Sequence, residues 1–236
     1  MSNVQLVNRL IMNVCEIEGN KIRNGRLSPA EWNKLENKIN ILRNAPIYVD
    51  DTPGLSVTEL RSKARKLVKD KKIELIIIDY LQLMNANGFN FGSREQEVSI
   101  ISRTLKGLAK ELDIPIIALS QLSRAVEKRD SSNNTVDGKK PLLSDLRESG
   151  AIEQDADMVC FIHRPEYHKL YDDGNGKDLR GLGQIIVAKH RNGATDEIWL
   201  RFIGKYTRFQ NESDTFDQDE NIYADIQYNT QQSRMN

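Results

Sequence analysis

Apolar residues recur at the three- and four-residue spacing of an amphipathic helix in four stretches of the chain. Two of these stretches begin with a capping box, in which Ser56 is followed by Glu59 and Ser93 by Gln96. Another begins at Ser28-Pro29, a helix cap followed by proline at the first helical position. The last two helices carry one apolar stripe each and should pack on a sheet. The pattern predicts helices over residues 4–14, 29–42, 57–67 and 98–112.

Short apolar runs of strand character lie between and after these helices. Most of them are continuously apolar, which is typical of parallel strands covered on both faces. Because strand and helix alternate through the first half, we expect an α/β domain with a mostly parallel central sheet flanked by helices. Asn192-Gly193 is a hairpin signal, so the strand after it should run antiparallel. The runs are Ile47–Val49, Leu75–Ile78, Ile116–Leu119, Met158–Ile162, Gln184–Ala188 and the alternating Glu197–Ile203.

The composition is that of an ordinary globular protein, with 39% hydrophobic and 29% charged residues. No apolar run is long enough to span a membrane, and the N-terminus lacks a secretory pattern. Cys15 and Cys160 lie far apart, which favours reduced thiols and a cytoplasmic location. His163, His168 and His190 lack metal-ligand spacing, and we expect each at the surface.

Charge divides the chain into a body and a tail. The whole chain has 34 basic and 34 acidic residues, and residues 211–236 hold six of the acids but one base, so the body carries a net charge of +5. We therefore predict a domain over residues 1–210 and an acidic, disordered tail over 211–236. A basic body is compatible with a nucleic-acid partner, although the balance is common. Residues 129–140 and 171–183 are predicted to be mobile loops.

Two predicted strands end in polar residues at the same edge of the sheet. Asp79 follows Leu75–Ile78, and Gln121 follows Ile116–Leu119. Ligands of open α/β sheets bind at the carboxyl ends of strands, where a carboxylate can hold Mg²⁺ through water and an amide can contact a γ-phosphate. The alternative interpretations are that Asp79 caps the next turn and that Gln121 caps a loop.

Two later segments carry candidate phosphate contacts. In the first, Arg147 can bind phosphate and Gly150 permits a close backbone approach, although an ordinary helix-connecting turn is favoured from the residues alone. In the second, Lys189 and Arg191 alternate at a strand end, so both side chains should point the same way. Two such cations suit a triphosphate, and the alternative is a solvated basic hairpin.

Five stretches carry a resemblance to a known family. They are DDTPGLSVTELRSKAR (50–65), IIIDYLQLM (76–84), ISRTLKGLAKELDIPIIALSQLSRAVEKR (101–129), LSDLRESGAIEQDAD (143–157) and AKHRNGATDEIWLRFIGKYTRF (188–209). Together, over about residues 1–210, they closely resemble the C-terminal motor domain of DnaB-type replicative DNA helicases. The resemblance implies a RecA-like P-loop NTPase core, a ring of six subunits, and ATP-driven 5′→3′ movement on single-stranded DNA.

The resemblance also implies roles by position. Asp79 matches the Walker B aspartate that supports Mg²⁺, and Gln121 matches the γ-phosphate sensor. Arg147, Glu148 and Gly150 match the central loop that grips the DNA backbone. Lys189 and Arg191 match the pair that reaches the neighbouring subunit's ATP, with Arg191 as the arginine finger. Primase and a helicase loader are the further partners implied for the intact protein.

The sequence departs from the family pattern at its start. It contains no G-x-x-x-x-G-K-[ST] phosphate loop (Walker A), and the resemblance begins just after the family's water-activating glutamate. We therefore expect a RecA-like core that lacks its first strands and its Walker A loop, and an ATP-dependent helicase part that is inactive alone. The alternative is a non-catalytic ring-forming or DNA-binding fragment that acts only in trans on a neighbouring ATP site.

Overall fold

The computed structural model describes residues 2–86, 92–123, 126, 136–146 and 150–213. Local sequence signals explain where the helices begin. Ser28 and Ser56 each form a capping box, and Ser93 accepts a hydrogen bond from the Gln96 backbone N–H. Within the described residues, all four predicted helices are confirmed, together with two short ones. The helices are α1 (Asn3–Cys15), α2 (Gly19–Asn24), α3 (Pro29–Arg43), α4 (Val57–Lys71), α5 (Arg94–Leu112) and α6 (Gly150–Asp155).

In the part of the chain that the structure describes, the strands form a parallel pair and an antiparallel group of four. The pair consists of β1 (Ile76–Ile78) and β2 (Ile116–Ala118), with Ile76 opposite Ile116. The group runs in the order β3 (Met158–His163), β4 (Leu182–His190), β5 (Asp196–Ile203) and β6 (Arg208–Asn211). The β4–β5 hairpin predicted from Asn192-Gly193 is confirmed, whereas β3 also pairs antiparallel with β4.

Helices α4 and α5 cover one face of the parallel pair. Ala64 of α4 and Leu108 of α5 are buried against Ile76, and Ile78 and Ile116 pack at the margin of this cluster. Deeper along α5, Ile101 is fully buried with Leu81 and Met84, which follow β1. The predicted packing of these two helices on the sheet is therefore confirmed, and their apolar stripes fix β1 and β2 in the α/β layer.

The opposite face of the parallel pair carries exposed apolar side chains. Ile77 is 63% exposed and Ile117 is 50% exposed, and Leu75 and Leu119 are similarly open. On β3, burial alternates, so Val159 and Phe161 are buried while their sequence neighbours are exposed. Each of these strands therefore has one covered and one uncovered face, unlike the expectation for Met158–Ile162 of a strand covered on both faces.

The N-terminal helices pack together and reach the end of the antiparallel group. Cys15 and Ile17 are fully buried, and burial raises the pKa of the Cys15 thiol. Asn13 donates a hydrogen bond to the Thr207 carbonyl at 3.2 Å, and Arg208 pairs with Glu16. These long-range contacts attach the helices of residues 2–43 to the segment that leads into β6.

Three expectations differ from the structure. Residues 47–49 form no strand within the described ranges, and their side chains are about half exposed. His163 is 1% exposed, not at the surface, because it lies on the buried side of β3, where its ring stacks on His168 at 5.7 Å. Strand β6 was not predicted, because its one apolar residue, Phe209, is flanked by polar residues; it pairs with β5, where Phe209 lies opposite Phe202.

Of the two loops that were predicted to be mobile, the structure describes one completely and the other in part. The segment 171–183 is described, and a bridge between Asp172 and Asp178 closes it while Asp173 accepts backbone hydrogen bonds from Asn175 and Lys177. Residues 129–135 of the other loop, and residues 214–236 of the predicted tail, lie outside the described residues. The domain boundary at residue 210 stays a prediction. Within the described ranges, the structure contains no helix with the length and apolar character that a membrane crossing needs.

Candidate functional site

Asp79 lies directly after β1, at the carboxyl end of a strand that α4 and α5 hold in place. Its side chain is exposed, and the Asp79–Tyr80 peptide bond is cis. Among the residues that the structure describes, none donates a hydrogen bond to its carboxylate. Because the side chain is exposed, its carboxylate oxygens can reach a ligand, and hard oxygen atoms are the groups that Mg²⁺ prefers.

The segment after β2 lies beside the segment after β1. The backbone N–H of Leu119 donates to the Ile78 carbonyl at 2.9 Å, and the N–H of Leu81 donates to the Leu119 carbonyl at 2.9 Å. Both bonds extend the parallel pairing beyond the ends of the two strands. The structure thereby brings Asp79 and Gln121 to one edge of the sheet, as the sequence predicts.

A third residue at this edge, Gln82, was not predicted from the sequence. Its side-chain Nε2 donates to the Ser120 Oγ at 3.0 Å, and its Oε1 accepts from the Gln121 backbone N–H at 3.3 Å. The Gln82 carbonyl accepts from the Arg94 guanidinium at 2.8 Å. Gln82 therefore fixes the backbone from which Gln121 projects. In the sequence, the signal that could have pointed to Gln82 is a polar residue between Leu81 and Leu83. In the structure these residues form a short 3-10 helix.

A cavity of about 610 Å³ opens beside Gln121. Its other wall comes from the end of β3 and the short helix that follows it, including His163, Arg164 and Tyr167. The Arg164 guanidinium lies 3.8 Å from the centre of the Phe202 ring, a cation–π contact that orients it. The cavity gives the edge around Gln121 a concave surface with polar and aromatic walls.

Lys189 and Arg191 lie at the end of β4 and contact the same neighbouring segment. The Lys189 Nζ donates to the Glu153 carbonyl in α6. The Arg191 backbone N–H donates to the Asp157 carbonyl at 2.8 Å, and its guanidinium lies 3.4 Å from an Asp157 carboxylate oxygen. Both cations are thus on one side of the strand end, but Lys189 is half-buried, and Arg191, at 64% exposed, is the more open side chain.

Asp157 connects α5, α6 and β3 at this point, and a role for it was not predicted from the sequence. It follows α6, precedes β3, and forms an ion pair with Lys106 of α5. The Lys106 ammonium, which hydrogen-bonds to the carboxylate, holds the pKa of Asp157 below its usual value, with a smaller contribution from Arg191. Asp157 therefore stays anionic between two cations.

Gly150 is the first residue of α6 and is exposed. Among the residues that the structure describes, none has an atom within 4 Å of a Cβ built on Gly150, apart from its chain neighbours and its own helix backbone. The described residues therefore leave open space beside Gly150, and a glycine there permits a close backbone approach. Arg147 and Glu148, which the sequence groups with Gly150, lie outside the described residues.

The described contacts define two groups of candidate residues. The first lies at the carboxyl ends of β1 and β2, where Gln82 is bonded to the segment of Gln121 and Asp79 directly follows β1. Lys189, Arg191 and helix α6 form the second. Within the described ranges no three His, Cys, Asp or Glu side chains converge on a metal position, so a cation at Asp79 would need water or phosphate oxygens as its other ligands.

Comparison with known proteins places this arrangement in a family. The family model for the DnaB-like helicase C-terminal domain matches residues 1–211. The chain belongs to the DnaB-like helicase C-terminal domain family. The resemblance stated from the five sequence stretches is thereby confirmed, and so is the RecA-like α/β fold.

Curated relatives and solved structures extend this result. The DnaB-like chain is 44% identical over 218 residues to the replicative DNA helicase DnaB of Geobacillus stearothermophilus, and 42% identical over 217 residues to the replicative DNA helicase DnaC of Bacillus subtilis. In both cases the match covers 92% of this chain and 45% of the relative. The chain therefore spans about half the length of these curated relatives.

Two solved structures share the fold. One is described as an ATPase domain, and it superposes with a TM-score of 0.77 at 37% identity, covering 89% of this chain and 71% of that domain. The other is a DnaB-like replicative helicase, solved in a study of its interactions with primase. It gives the same TM-score and identity, and the match covers 48% of that chain. Part of the solved ATPase domain therefore has no counterpart in these 236 residues.

Proposed function

We propose that this chain is the part of an ATP-driven replicative DNA helicase motor that supplies the Mg²⁺-supporting aspartate, the γ-phosphate sensor and the residues acting in trans. The observation that carries the proposal is the sheet edge that holds both Asp79 and Gln121. Two parallel strands end in an exposed carboxylate and an amide, and Gln82 holds the backbone from which Gln121 projects. That is the arrangement needed to hold the metal and the terminal phosphate of ATP.

At this edge each residue has a distinct task. Asp79 would hold Mg²⁺ through water, and the ion would supply positive charge beside the phosphates of ATP. The Gln121 side chain donates a hydrogen bond to a γ-phosphate oxygen and accepts one from water, which an amide can do at once. The cavity beside Gln121 offers room for part of the nucleotide. The phosphate-cradling loop is not among these 236 residues and must be supplied by other residues.

The second group acts on the neighbouring subunit of a homo-hexamer. Arg191 is the arginine finger, since its guanidinium is largely exposed and its contact to Asp157 is long. Lys189 supports it from the half-buried end of β4. A guanidinium placed on the transferring phosphate stabilises negative charge in the transition state.

DNA is bound through its backbone beside α6. Gly150 allows close approach, and Arg147 with Glu148 completes the contact to single-stranded DNA. Phosphate contacts carry no base information, so binding is independent of sequence and weakens with salt. Movement is 5′→3′, in the cytoplasm during replication. Primase and a helicase loader are the expected partners, in line with the primase study of the related helicase.

A chimera tests this proposal. The upstream portion of the Geobacillus stearothermophilus relative, ending where its match to this chain begins, is joined to Met1. We expect DNA-stimulated ATP hydrolysis and unwinding of a fork with a 5′ tail. Asp79→Asn and Gln121→Ala should each reduce ATP turnover by about 10²-fold or more, while Asp70→Asn, at an exposed position on α4, should not. An active chimera in which Asp79→Asn turns over ATP normally would refute the assignment.

The alternative is a non-catalytic subunit that acts only in trans, for which the largely exposed Arg191 guanidinium is the group available to a neighbour. In that case the unfused chain would restore ATP hydrolysis to a full-length relative whose own arginine finger is replaced by Ala. Arg191→Ala should abolish the rescue, whereas Arg103→Ala, exposed on α5, should not. Rescue without any activity of the chimera would support the trans-only role.

A further inference from the structure

Asp157 occupies a position that neither the motifs nor the proposed roles explain. It lies at the junction of α6 and β3, and its carboxylate pairs with Lys106 in the middle of α5. Lys106 is 22% exposed, so α5 fixes one side of the junction through a side chain that has little freedom. The other side of the carboxylate faces Arg191 at 3.4 Å.

The end of β4 is attached to this junction at three points. The Arg191 backbone N–H donates to the Asp157 carbonyl at 2.8 Å, and the Arg191 guanidinium faces the Asp157 carboxylate. The Lys189 ammonium donates to the Glu153 carbonyl, one turn earlier in α6. Backbone and side chains together therefore hold residues 189–191 against α6 and Asp157.

Helix α6 in turn begins at Gly150, the residue that we place beside DNA. It is six residues long, packs against α5, and has its carboxyl end at the Asp157 junction. A displacement of such a short helix moves both of its ends. The segment carrying Arg191 is bonded to the far end, so the two segments form one mechanical unit.

We propose that Asp157 is a positioning residue that couples helix α6 to the arginine finger, so that displacement of α6 and displacement of Arg191 occur together. The proposal rests on the proposed function. Lys106 anchors the Asp157 carboxylate, and the long contact to Arg191 is weak enough for the guanidinium to leave Asp157 for an anionic phosphate of the neighbouring subunit. The hydrogen bond from the Arg191 backbone N–H to the Asp157 carbonyl keeps Arg191 attached to the end of α6 while its guanidinium moves.

Hydrogen–deuterium exchange on the whole 236-residue chain tests the linkage without requiring activity. In Lys106→Ala and in Asp157→Asn, amide exchange should rise by about fivefold both in α6 and at residues 186–192. Lys110→Ala, one turn further along α5, and Asp113→Asn, at its exposed end, should change neither segment. A rise confined to one segment, or no rise, would overturn the coupling.

The chimera supplies a second measurement, the ratio of ATP turnover with single-stranded DNA to turnover without it. Lys106→Ala and Asp157→Asn should each lower this ratio by about fivefold, the low end of measured coupling between sites. The double variant should lower it no further, because both changes break one link. A lower melting temperature with an unchanged ratio would show that Asp157 is merely structural. If the unaltered chimera shows no stimulation by DNA, the proposed function fails, while hydrogen exchange still decides the linkage.

Discussion

Gln82 provides the sharpest test of how the sheet edge that carries Asp79 and Gln121, the proposed γ-phosphate site, is built. The substitution Gln82→Met keeps the length of an unbranched side chain but removes its polar atoms. It deletes the bond from Nε2 to Ser120 and the bond that Oε1 accepts from the Gln121 N–H. The half-buried space that Gln82 occupies stays filled, so the change isolates hydrogen bonding from packing.

The expected loss of stability follows from these two bonds. A typical intramolecular hydrogen bond contributes about 0.5–1.5 kcal/mol. The bond to Ser120 is 3.0 Å long and half-buried. The bond to Gln121 is 3.3 Å long and exposed, so its contribution should lie at the low end of that range. Urea unfolding followed by circular dichroism should therefore show a free energy of unfolding lower by about 1–2 kcal/mol.

The effect on activity should exceed the effect on stability. Once the backbone of Gln121 is released, its amide no longer has a fixed position, and misplacement of a catalytic contact by about 1 Å can cost about 10²-fold in rate. We expect ATP turnover of the chimera to fall by about tenfold. Lys69→Met, at an exposed position of α4, is the control. Stability and turnover equal to the unaltered protein would refute the role of Gln82.

Three further predictions concern the fold. Ser56→Ala removes the cap of α4 and should lower the free energy of unfolding by about 1 kcal/mol, measured in urea. Ile77→Asp places a charge on the exposed sheet face and should reduce self-association in sedimentation, whereas Ile198→Asp on β5 should not. The hydrogen bond from Lys21 lowers the pKa of Glu31 to about 2. The stability that the Glu31 carboxylate contributes is therefore complete above pH 4.5 and is lost as the pH falls toward 2. Glu31→Gln should remove this part of the pH dependence of the free energy of unfolding.

Each of these predictions has a contradicting result. An unchanged unfolding midpoint for the Ser56 variant would mean that packing alone defines the start of α4. Equal self-association of the two aspartate variants would mean that the open face of β1 and β2 does not drive association. A Glu31→Gln protein with the unaltered acid profile between pH 4.5 and 2 would show that the ion pair with Lys21 contributes nothing to stability.

Features that depend on local sequence were predictable. Helices α3 and α4 begin where a serine cap and its partner three residues later satisfy the first backbone N–H groups, and both residues are visible in the sequence. The strands β1 and β2 were predictable because each is a short apolar run ahead of a polar residue. Their parallel pairing then brings Asp79 and Gln121 to one edge without further information.

Features that depend on distant contacts were not predictable. Gln82 acquires its role from Ser120, 38 residues further on, and Asp157 from Lys106, 51 residues earlier. His163 is buried because the register of β3 against β4 turns it inward, a fact that its spacing from other histidines does not contain. Pairing between strands decides these positions, and a single sequence does not state the pairing.

Binding of Mg²⁺-ATP, measured by calorimetry on the unfused chain and on the chimera in parallel, tests the central claim most directly. If this chain supplies Asp79 and Gln121 but not the phosphate cradle, the unfused chain should show no binding. The chimera should bind one nucleotide per subunit, and Asp79→Asn should weaken that binding in the presence of Mg²⁺. Micromolar binding at one site on the unfused chain would contradict the account, because another part of these 236 residues would then hold the triphosphate.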